Sequence, residues 1–204
     1  MQDIKELFLN EEIRCGGFYE LCIQVSPTTD TAPLKAYNEY FWALNEVSGP
    51  YNRQMQKTGI DLDNYRQEGV LILGDKSIPF QQFNIREEAV PGANYHWFDI
   101  SFYTATIEQV FGLQPQHWTD NPECPPLLRQ FMMATLQGLH KIYPFQLAFI
   151  DFELSGEYYL HHLKTNLNNW TNTHFYVGSE QYNDIKEEYK QWVTIIDQYQ
   201  SLPN

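Results

Sequence analysis

An α+β fold, with a mixed or mainly antiparallel sheet and helices packed mostly on one face, is what this 204-residue chain predicts. Two patterns carry that reading. In several stretches apolar and polar residues alternate, the mark of a strand buried on one side; in others apolar residues recur every three or four positions, the mark of an amphipathic helix. Their order along the chain is strand, helix, hairpin, strand, helix, strand, helix, with no fixed-period repeat and no heptad array.

Ile4, Leu7 and Phe8 suggest a short opening helix. Across 18–25, Tyr19, Leu21, Ile23 and Val25 fall on one side and Glu20, Cys22 and Gln24 on the other, a half-buried strand. Asp30 or Thr31 can cap a helix whose first turn accepts Pro33, and Leu34, Tyr37, Phe41 and Leu44 form its apolar stripe. Gly49-Pro50 reads as the end of that unit, followed by a polar surface connection to about Gly69. Residues 70–73 and 79–85 read as a hairpin turning at Gly74-Asp75-Lys76-Ser77. Phe98, Ile100 and Phe102 alternate with Trp97, Asp99, Ser101 and Tyr103, another strand. Thr104 or Thr106 can cap a short helix carrying Ile107, Val110 and Phe111, and the prolines from Pro115 to Pro126 mark a loop. Leu128, Met132, Thr135, Leu139 and Ile142 describe a helix stopped by Pro144, and 145–154 is the most apolar strand. The stretch 166–174 reads as an irregular loop. Tyr182, Ile185, Tyr189, Trp192, Ile196 and Tyr199 then give the strongest helical spacing in the chain.

Composition bounds the function. Hydrophobic residues make up 43% of the chain and aromatic ones 16%, enough for a substantial core and unlike a disordered chain. The length suits one domain over residues 1–204. Thirteen basic against 26 acidic side chains leave a net charge of −13, a field that repels nucleic-acid backbones and anionic membranes and hastens encounter with a basic protein. The first residues, Met1 to Glu6, are acidic where a secretory leader is basic, and no run of apolar residues reaches the length of a membrane span. Cys15, Cys22 and Cys124 are odd in number and lack metal or redox spacing, as expected of reduced thiols in the cytoplasm.

One local pattern recurs. Tyr19-Glu20-Leu21, Phe98-Asp99-Ile100 and Ile150-Asp151-Phe152 each set an acid between apolar residues on a strand. If those strands are neighbours, Glu20, Asp99 and Asp151 share a sheet face with Glu153 beside them, an acidic face for binding or a carboxylate site. The ordinary explanation is a solvated or helix-flanking sheet face, since a half-solvated sheet shows one polar residue in two. Glu157 and His161 lie four apart, yet neither they nor the scattered His96, His117, His140 and His174 match a metal cage, so no metal or cofactor is expected. The turn at Cys15-Gly16-Gly17 can offer N–H groups to an oxyanion, but no base is assignable to its thiol. Cys124, next to Glu123, sits where its thiol pKa is raised. Asp61-Leu62-Asp63 opens like a calcium loop but has Arg66 where glycine is required. No nucleotide-binding, hydrolase-elbow or DNA-reading motif is present.

Two functions follow as expectations. One is an acidic intracellular protein-binding module, an inhibitor or immunity-type protein that neutralises a basic partner such as a toxin, its tyrosines and tryptophans acting as interface anchors. The other is a small hydrolase or ligand-binding enzyme using carboxylates from Glu20, Asp99, Asp151 and Glu153.

Overall fold

Alternation decides the middle of the sheet. In a computed structural model, which describes residues 4–87, 94–114, 124–152, 158–167 and 173–199, the alternating segment after Gly17 is β1, Phe18–Pro27. It pairs antiparallel on one side with β5, Tyr95–Tyr103, and on the other with β6, Leu147–Phe152. The predicted hairpin is β3, Arg66–Leu73, and β4, Lys76–Arg86, joined at Gly74 with its positive φ of 63°. With β2, Val47–Tyr51, β7, His174–Val177, and β8, Val193–Ile195, the strands form one eight-stranded sheet in the order β2-β3-β4-β5-β1-β6-β7-β8. Among the described residues every pairing is antiparallel except β7 with β8.

The long helices cover one face. α1, Ile4–Leu9, opens the described chain. α2, Ala32–Trp42, has Thr31 at its N-cap, while Asp30 Oδ1 accepts from the Ala32 N–H at 3.0 Å. α3, Thr104–Phe111, follows β5 without a break. Its N-cap is Tyr103 rather than either threonine, and the carbonyls of Cys15 and Gly17 accept from the Ala105 and Thr104 N–H groups. α4, Pro126–Ile142, buries Leu128, Met132, Leu136 and Leu139 completely, at roughly 1.5–3 kcal/mol each. These side chains and Leu34, Tyr37 and Phe41 of α2 meet Tyr19, Leu21, Ile23 and Val25, Phe98, Ile100 and Phe102, and Ala148 and Ile150. Phe41 is the hub, its ring 5.5 Å from Phe80 and 5.6 Å from Phe98.

Between α2 and the β3–β4 hairpin lies a buried amide cluster in place of apolar packing. Asn38 Nδ2 donates to Asn84 Oδ1 (2.8 Å) and to the Leu34 carbonyl, Gln67 Nε2 to Gln82 Oε1 (3.0 Å), and Gln82 Nε2 to Asn84 Oδ1 (2.9 Å). Gln67 Oε1 accepts from the Asp61 N–H at 3.0 Å, which ties the polar connection down to the sheet. Such satisfied networks fix register more than they add stability.

The opposite face carries a second core of Cys22, Trp97, Leu147, Phe149, Phe175 and Val177. It is covered by Tyr158 and Leu163, from the segment that holds α5, Leu160–Lys164, and by Ile185 and Tyr189 further on. Here the expectation of a long final helix fails. The segment is α6, Ser179–Tyr182, a 3₁₀ turn over Glu187–Trp192, the strand β8 and a second 3₁₀ turn over Ile196–Gln198. Its apolar stripe divides, with Ile185, Tyr189 and Val193 packed on one face of the sheet and Ile196 on the other. Among the described residues no helix is long and apolar enough to cross a membrane.

Candidate functional site

β1 lies between β5 and β6, so the three acid-bearing strands are neighbours. Glu20 stands directly opposite both Ser101 and Asp151, and Cys22 opposite both Asp99 and Phe149. Period two therefore puts Glu20, Asp99 and Asp151 on the same face, Asp99 one row away from the other two. The Glu20 row runs on through Ser101, Gln81 and Glu68, a polar line across five strands. Glu153 and Glu157 lie outside the described residues, as does His117.

Of the two ordinary explanations, a solvated or a covered face, the structure shows the covered one. Glu20 is 5% exposed and Asp99 fully buried. Glu20 Oε1 accepts from Ser101 Oγ at 2.7 Å. Asp151 accepts from its neighbour's Phe152 N–H at 2.8 Å and from Thr173 Oγ1 at 3.1 Å. Burial raises the Asp151 carboxyl above the ordinary carboxylate range, and these two hydrogen bonds only partly offset it. Among the described residues no three of His, Cys, Asp and Glu are grouped so as to hold a metal ion.

The other side chains singled out by sequence lie apart. His161 is exposed, its ring 4.1 Å from that of His162. His96 is buried in β5, His140 lies in α4 and His174 in β7. The Cys15 turn presents carbonyls to α3, so its backbone acts as a helix cap. Burial pushes the Cys124 thiol up to about 12, which leaves it protonated and unreactive.

Sequence reasoning missed Glu87. Its Oε2 accepts from the Asn94 and Tyr95 N–H groups at 2.8 and 3.0 Å, and its Oε1 from Trp97 Nε1 at 2.7 Å and the Tyr159 hydroxyl at 2.6 Å. Burial works against its charge, but the four donors outweigh it and hold the carboxyl below its ordinary value. Burial and the facing carboxylate lift the Tyr159 phenol to about 12. No local signal marks Glu87, because its partners come from two other segments, one around 94–97 and one at Tyr159.

Two cavities stand out, and neither is lined by Glu20, Asp99 or Asp151. The first, about 740 Å³, is an open groove between α2, the β3–β4 turn and α4, walled by Tyr40, Leu44, Leu73, Leu127, Phe131 and Met133. Leu127 is 46% exposed and Tyr199, at its margin, 37%. The second, about 410 Å³, lies at the β3–β4 end of the polar row, beside α1. Comparison with protein families, curated proteins and solved structures finds no match to this chain.

Proposed function

We propose that this chain is a cytoplasmic protein-binding module, an inhibitor or immunity-type protein that occupies a basic partner such as a toxin and leaves nucleic acid alone. The observation that carries the reading is the open apolar groove, where Tyr40, Leu44, Leu73 and Leu127 stay at least partly accessible between two helices. Grooves of this kind receive the apolar side of a partner element, and exposed apolar patches on an otherwise polar surface mark contact sites. The net charge of −13 supplies the other half, long-range attraction for a basic surface and repulsion of phosphate backbones. Affinity capture on the immobilised chain is expected to recover a basic protein that salt releases. Leu127→Glu with Ala134→Glu, both at exposed positions on α4, is expected to weaken that complex about tenfold or more. Recovery of the same proteins by the variant, or of no basic protein at all, would sink the proposal.

The reading as a small hydrolase or ligand-binding enzyme has one observation in its favour, the shared face of Glu20, Asp99 and Asp151. It expects Asp99→Asn and Asp151→Asn to abolish turnover or ligand binding in chains that remain folded by circular dichroism. Unchanged activity in the folded double variant removes it.

A further inference from the structure

The second cavity reverses the charge of its surroundings. Three of the chain's five arginines, Arg14, Arg53 and Arg66, line it, against two acids, Glu11 and Glu68. Arg14 is set in place: Nη1 meets Glu68 Oε2 at 3.0 Å, Nη2 donates to the Phe8 carbonyl at 2.7 Å, and the guanidinium lies 4.8 Å over the Phe8 ring. Its Nε is buried with no acceptor among the described residues. Arg66 shares the same carboxylate more loosely, at 3.9 Å, so one glutamate serves two guanidiniums. Arg53 is exposed in the connection after β2 and forms no ion pair among the described residues. Gln81 Nε2 donates to the Tyr103 hydroxyl at 2.8 Å, which leaves the phenolic proton to be donated onward.

One arginine–glutamate pair is enough to tether α1 to β3; it gives no reason for Arg53 and Arg66 to converge on the same hollow. We infer that this cavity binds a small phosphate- or carboxylate-bearing molecule, its anionic group received by Arg53, Arg66 and the Tyr103 hydroxyl while Glu68 holds Arg14 in position. Guanidinium forks match both anions in pairs of parallel hydrogen bonds. The volume of about 410 Å³ falls in the range of small-molecule sites and is too small for a folded partner. The site is separate from the groove, so it stands or falls independently of the protein-binding proposal.

The test is titration of the full chain with inorganic phosphate, pyrophosphate and citrate at constant ionic strength, followed by the arginine Nε–H signals in NMR and by calorimetry. Saturable one-site binding with movement of the Arg53 and Arg66 signals is expected. The double variant Arg53→Gln, Arg66→Gln is expected to weaken it about tenfold, with unchanged melting in the absence of anion. Preference for the phosphates or for citrate then tells which anion the site serves. Should the double variant melt early, Tyr103→Phe, which removes only the hydroxyl, makes the same comparison. Absence of saturation, an equal response to chloride, or full binding by the folded variants would overturn the inference.

Discussion

Gly69 occupies the one point of β3 where Trp42 and Phe80 stack, their ring centroids 5.5 Å apart and their planes at 29°. A Cβ there would lie 2.6 Å from Phe80 Cζ and 2.8 Å from Trp42 Cζ3. Both rings are core, so neither can swing into solvent. Gly69→Ala is expected to destabilise the fold by about 1–2 kcal/mol, the cost of overpacking less the gain in strand preference. Urea unfolding checks it: the midpoint falls while the slope stays constant. Phe80→Leu, which removes the obstructing Cζ but leaves Trp42 Cζ3 in place, is expected to lower the cost of the added methyl without abolishing it in a double-variant cycle.

At the scale of elements, Glu87 joins pieces that do not touch through apolar contact alone: the end of β4, the start of β5 and the segment leading into α5. Glu87→Gln replaces one carboxylate oxygen by a donor facing donors. A loss of about 1–2 kcal/mol at neutral pH is expected, allowing for the group's partial exposure. Because the folded carboxyl lies below its ordinary value, this contribution is present above the usual carboxylate pKa and disappears as pH falls through the folded one. Wild type and variant are therefore expected to converge in stability as pH falls through the folded carboxyl's lowered value, and a constant difference would refute the assignment.

The elements also show what the residues could tell in advance. β1, β5, the β3–β4 hairpin, α2 and α4 were legible because one side of each is apolar, so its period survives in the sequence, although β1 and β5 are buried on both sides. β2 was not, since Gly49 and Pro50 read as a terminator yet lie within the strand, Gly49 passing beside Trp42 where a Cβ would be 2.8 Å from the ring. The final stripe misled for a different reason. Spacings of three also fit 3₁₀ turns, and the β-branched Val193-Thr194-Ile195 between them prefers the strand that pairs with β7. In the candidate site alternation set Glu20, Asp99 and Asp151 on strands, but that the strands are neighbours came only from the pairing. Their burial was not legible either, because the neighbours that cover a strand come from elsewhere in the chain.

For the whole molecule the histidines set the response to pH. Burial holds His96, His140 and His174 below the ordinary histidine value. Arg86 adds to the effect at His96 and Arg129 at His174, while Asp30 and Asp197 oppose it at His96 and His140. The unfolded chain therefore binds more protons than the fold once pH drops below about 6.5, and stability declines from there downward. Chemical denaturation at about pH 7.5 and 5.5 is expected to show the loss, and His96→Gln to reduce it. Equal slopes for variant and wild type would assign the decline to other groups.

The two outermost strands bear on how copies of this protein meet one another. An open sheet exposes unpaired backbone N–H and C=O groups along its margins, a template for strand-to-strand polymerisation. Here one margin is β8, only three residues long, and the other is β2, where Pro50 lacks an N–H and the pairing with β3 shifts register between Ser48 and Tyr51. Among the described residues the eight-stranded sheet thus ends on both sides in stretches too short or too irregular to recruit another strand, so copies that meet at high concentration are left with side-chain contacts rather than filament growth.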